Sequence, residues 1–132
     1  MLKLFIDTNV LVSATFWKRN PHKLIQSIVE GKAVGFTTSE MLDEYRAVLK
    51  RDFALTENEA DERVENALQT LNVVWPQEHF KVIKDDPADD KVLEGAVQAE
   101  VDFIVSYDRH LRNLVTFRNI AVATPEEVLT KL

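Results

Sequence analysis

Short apolar runs alternate along this chain with longer stretches in which apolar residues return every third or fourth position. The short runs read as strands: Leu2–Ile6, Ala33–Phe36, Asn72–Trp75 (ended by Pro76), Phe103–Val105 and Ile120–Val122. They lack polar alternation, which suits a sheet covered on both faces. The longer stretches carry helical spacing, as in Leu24, Ile25, Ile28 and Val29,. Strand and helix in turn predict an α/β fold with a mostly parallel, five-stranded sheet.

The helix boundaries have chemical signals. Asn20-Pro21 reads as an N-cap followed by a proline in the first turn, and Gly31 as the stop,. Thr37, Thr38 or Ser39 caps the next helix, which runs to about Arg51. Thr56-Glu57-Asn58-Glu59 is a capping box, so the helices on either side of residue 53 are expected to form a hairpin,. Asp86-Pro87 starts a helix to about Glu100, and Thr124-Pro125-Glu126-Glu127 opens the last one. No linker, repeat or low-complexity tract interrupts residues 1–132, which are expected to form a single domain,.

Composition narrows the chemistry. There is no cysteine, hence no disulfide, thiolate metal site or cysteine nucleophile,. No apolar run approaches the roughly 18 residues of a membrane span. Met1-Leu2-Lys3 leads straight into strand-like sequence rather than a signal peptide, so a cytoplasmic location is expected,. A net charge of −6 argues against broad non-specific nucleic-acid binding,. It leaves room for a nucleic-acid enzyme whose bound cations offset several acids.

Four acids stand where such a fold gathers functional groups, beyond the carboxyl ends of its strands. Asp7 ends the first strand and Asp108 follows the fourth. Either could simply cap a helix. Thr8 and Asn9 could cap the first helix in Asp7's place, whereas Asp108 directly precedes Arg109-His110-Leu111. At about 100° per residue, Met41, Leu42, Tyr45, Val48 and Leu49 share one face, with Glu44 at its edge and Asp43 turned to solvent,. Among Asp85, Asp86, Asp89 and Asp90, Asp86 suits an N-cap and Asp89 the capping-box position,. Asp90 is left over for chemistry, although Asp89 adjoins it. His22, His79 and His110 lie among polar residues and read as solvated, with His110 near enough to Asp108 to touch a substrate.

Together these words resemble the PIN-domain family of metal-dependent ribonucleases, over nearly the whole chain. The resemblance rests on Phe5-Ile6-Asp7-Thr8-Asn9-Val10-Leu11-Val12-Ser13-Ala14, on Thr38-Ser39-Glu40-Met41-Leu42-Asp43-Glu44-Tyr45, and on Asp86-Pro87-Ala88-Asp89-Asp90-Lys91 leading into Ile104-Val105-Ser106-Tyr107-Asp108. The small VapC-like toxins of toxin–antitoxin pairs look most similar. The resemblance implies that Asp7, Glu44, Asp90 and Asp108 hold Mg²⁺ or Mn²⁺, with Asn9 and Ser106 in support. Ser106 stands where many members carry threonine and keeps the hydroxyl. It further implies a three-layer α/β/α sandwich with a central, mostly parallel five-stranded sheet, hydrolysis of an RNA substrate, a homodimer and an inhibitory antitoxin partner.

The chemistry asks for such groups independently. A phosphodiester is anionic and repels an attacking hydroxide, so hard cations held by carboxylates serve both attack and departure. Candidate phosphate contacts are Lys18, Arg19, Arg46, Lys91, Arg109 and Arg112. Two rivals remain. A receiver-like phosphoacceptor domain needs an acidic pair after its first strand and a lysine after its last, where this chain has Thr8-Asn9 and Ala123-Thr124. A catalytically inert PIN-like binding module would keep the fold and only dock partners.

Overall fold

The computed structural model describes residues 1–83 and 87–132, and only the backbone of Pro87 and Ala88. The described strands are β1 (Lys3–Ile6), β2 (Val34–Thr38), β3 (Asn72–Val74), β4 (Phe103–Val105), β5 (Thr116–Phe117) and β6 (Ile120–Ala123). The described helices are α1 (Thr8–Phe16), α2 (Asn20–Val29), α3 (Ser39–Phe53), α4 (Glu57–Thr70), α5 (Pro87–Ala99), α6 (Arg109–Leu114) and α7 (Pro125–Leu129).

The strands join in the order β3-β2-β1-β4-β6-β5, parallel except for β5 against β6. β1 is central and its residues alternate between the two faces. Leu4 and Ile6 enter the core beneath α1, α2 and α3, whereas Phe5 enters the core beneath α5 and α6. Helices thus cover both faces, which is why the strands show no polar alternation. α5 lies so close to β1 that a Cβ at Gly95 would sit 2.4 Å from the Phe5 ring. Glycine is what permits that approach.

The sheet has six strands rather than the expected five. The extra one, β5, forms a hairpin with β6 through Arg118 and Asn119, both at positive φ (49° and 67°). Two consecutive positive-φ residues make the primed turn that suits hairpin twist. Glycine is the usual sign of such a turn, and this one has none. Smaller differences concern helix starts. Asn20 is already inside α2, with Arg19 at the cap position and Gly31 at φ 80° just past its end. Both capping boxes form as expected, at Thr56–Glu59 and Thr124–Glu127. Asp85 and Asp86, the latter the expected cap of α5, lie outside the described residues.

Candidate functional site

The register of two neighbouring strands places the first two acids. Ile6 pairs with Val105, and the Asp7 amide donates to the Val105 carbonyl at 3.0 Å. The residues immediately after β1 and β4 therefore lie side by side at the carboxyl rim of the sheet. Ser106, fully buried, donates its hydroxyl to Asp7 Oδ2 at 2.6 Å and accepts the Asp108 amide at 2.9 Å. One serine thus ties the two aspartates together.

Each of these acids also begins a helix. Asp7 caps α1 through Oδ1, which accepts the Thr8 amide at 2.8 Å. Thr8 and Asn9 do not take over that role; Thr8 is buried within the first turn and Asn9 is exposed. Asp108 caps α6, its Oδ1 accepting the His110 and Leu111 amides at 2.7 and 3.4 Å. Capping and site geometry are one arrangement here: the bonds that end the helix fix the carboxylate's direction.

Burial sets the electrostatics. Asp7 is 7% exposed, and its pKa is pushed up from 3.8 to about 6. Desolvation is the main cause, opposed by the Ser106 and Thr8 hydrogen bonds and reinforced by the charges of Glu44 and Asp108,. Glu44 on α3 is therefore close enough to Asp7 for its charge to be felt. It is exposed, and the buried face of α3 consists of Met41, Leu42, Tyr45 and Leu49. Glu44 thus borders the buried face of α3, as its helical position predicts, and is open to solvent.

The two acids at the start of α5 face different ways. Asp89 comes to Asp108: donor atoms of Asp89, Asp108 and His110 all lie within 4.8 Å of one another. Asp90 is turned toward the irregular segment after β3. Its Oδ1 accepts the amides of Val82 and Ile83, each at 2.9 Å. One and two turns further along α5, Glu94 accepts the Phe80 amide at 2.9 Å and Gln98 accepts the Gln77 amide at 3.0 Å. Asp90, Glu94 and Gln98 thus form a ladder, spaced four residues apart, that supplies acceptors to a segment with no strand partner. Asp90 does not belong to the group around Asp108.

The structure also brings in a residue that the sequence reading set aside. His110 is half-buried, with Nδ1 3.6 Å from Asp108 Oδ1 and 3.8 Å from Asp89 Oδ2. Its one legible signal was its place in the first turn after a cap aspartate. His79 is largely exposed, 3.3 Å from Glu94 Oε1, and His22 lies 3.2 Å from the Ala14 carbonyl.

The model of the PIN domain matches residues 3–110, which takes in β1, α3, α5 and β4 and every acid just described. The chain belongs to the PIN domain family. No curated protein matches it. PIN domains are as a class nucleases that use divalent metal ions and act on RNA, so a nuclease-type function follows from membership. Residues of this chain fit such an ion: Asp89 and Asp108 offer hard carboxylate oxygens that lie together beside His110,. Asp7, joined to the Asp108 backbone through Ser106, is buried, so that its charge is costly without a counter-ion,. No described helix is long and apolar enough to cross a membrane.

Proposed function

We propose that this chain is a metal-dependent endoribonuclease, working with Mg²⁺ or Mn²⁺, and the toxin half of a VapC-like toxin–antitoxin pair in the cytoplasm. The supporting observation is the meeting of Asp108 with Asp89 and, through Ser106, with Asp7. Asp7, Asp89 and Asp108 are the inner ligands in this reading, and Glu44 acts from the exposed side through its charge or a water. Asp90 holds the approach segment, and Asn9, at the exposed start of α1, meets solvent or substrate.

Bound there, one or two divalent cations would lower the pKa of water, neutralise the phosphate and hold the leaving oxygen in line. The chain's own residues do the positioning. Ser106 fixes the separation of Asp7 and Asp108. The α6 cap holds the Asp108 carboxylate from behind. The α5 ladder keeps the start of that helix, and with it Asp89, in place.

Arg109, next in the chain to Asp108, and Arg112 line a cleft of about 380 Å³ on α6 and are exposed for contact with flanking phosphates,. Arg46 is already bonded to Glu57 and Asp61, and Lys91 to Glu40, so both serve the surface of the fold first. Lys18 and Arg19 are exposed beyond the end of α1. A homodimer and an antitoxin partner complete the reading.

The test is direct. Purified protein should cleave single-stranded RNA with Mn²⁺ and lose that activity with EDTA and in Asp108→Asn. Growth should stop when the chain is expressed and resume when the product of an adjacent gene is supplied. Cleavage that survives in Asp108→Asn would reveal a contaminant. Absence of cleavage on every RNA tried, with metal bound, would favour the inert binding module.

A further inference from the structure

We infer that His110 is a nitrogen ligand of the metal, so that the site favours a Mn²⁺-class cation over Mg²⁺. This rests on the metal-site reading above and adds to it a donor of a different kind. The distances carry the argument. At 3.6 and 3.8 Å from the two carboxylate oxygens, Nδ1 is too far for a hydrogen bond to either,.

Those separations leave room for a cation shared by the three groups. With metal–ligand bonds of about 2.1–2.2 Å, octahedral neighbours sit roughly 3.0 Å apart and opposite ligands roughly 4.3 Å apart. Both observed distances fall inside that bracket. The backbone of the residue is also held in place. The His110 amide donates to Asp108 Oδ1 at 2.7 Å, so the carboxylate that would bind the metal also anchors the backbone of the histidine. The side chain is partly buried, which limits the positions the ring can take.

Ligand type then decides the ion. Mg²⁺ prefers an all-oxygen octahedron and keeps its waters, whereas imidazole nitrogen suits first-row transition ions. Carboxylates joined by one imidazole form a mixed set that Mn²⁺ accepts and Mg²⁺ gains little from. The competing explanation is a plain ion pair, in which protonated His110 neutralises the two acids and never touches metal.

Pulsed electron paramagnetic resonance of Mn²⁺ on ¹⁵N-histidine-labelled protein separates the two. Wild type should show coupling to an imidazole nitrogen, and His110→Gln should lose it while His22 and His79 remain. By calorimetry, His110→Gln should weaken Mn²⁺ binding about tenfold and leave Mg²⁺ binding within about twofold. Bound Mn²⁺ without nitrogen coupling, or equal loss for both ions, overturns the inference and leaves the nuclease reading intact. Failure of wild type to bind Mn²⁺ at all overturns both.

Discussion

Asp7→Asn is expected to abolish RNA cleavage and, at the same time, to make the metal-free protein more stable. The activity side follows from losing a metal ligand, a loss on the order of 10³-fold or more in rate. The stability side follows from the raised pKa. A carboxyl with a pKa of 3.8 unfolded and about 6 folded favours its protonated form in the fold. Its contribution is fully present below pH 4 and is lost as pH rises toward 6. Above that, the native state carries an ionisation cost of about 3 kcal/mol. Asparagine keeps an acceptor for the Thr8 amide and removes the charge. Metal-free wild type should therefore lose stability between about pH 4 and pH 6 by urea denaturation, and the variant should lose less. Adding Mn²⁺ should reverse the order by stabilising wild type selectively. A variant less stable than metal-free wild type at pH 7 would mean that burial is not what governs Asp7.

The second large effect separates adjacent residues. Asp89→Asn should cost at least about 10²-fold in activity, because its carboxylate faces Asp108 and His110,. Asp90→Ala should instead cost about 2–4 kcal/mol of stability. It leaves the Val82 and Ile83 amides without their acceptor, and Ile83 is buried,. Asp90→Asn retains an acceptor oxygen and should stay close to wild type in both respects. Urea melts and initial rates on one RNA check all three. If Asp90→Asn is inactive and Asp89→Asn is active, the third ligand is Asp90 after all.

The particular residues show what a sequence can and cannot disclose. The strands around Asp7 and Asp108 were legible because a doubly covered sheet needs continuous apolar runs, and their parallel pairing brings the ends of β1 and β4 together,. Asp89 and Asp90 were not separable by the same means. Both sit in the first turn of one helix, and their roles depend on a segment, residues 77–83, that has no periodicity to read. Capping rules favoured Asp89 as the structural acid, whereas tertiary contacts gave Asp90 that work. His110 escaped because α6 is too short for a periodic pattern. β5 escaped because its turn contains no glycine. Asp7 shows a different limit: a cap and a candidate ligand are one residue here, so the two readings were never alternatives.

Crystals grown with Mn²⁺ and measured at a wavelength where manganese scatters anomalously would locate the ion itself. An anomalous peak bounded by the carboxylates of Asp7, Asp89 and Asp108 is expected. A clear peak elsewhere, or none with Mn²⁺ at millimolar concentration, would contradict the metal-site reading.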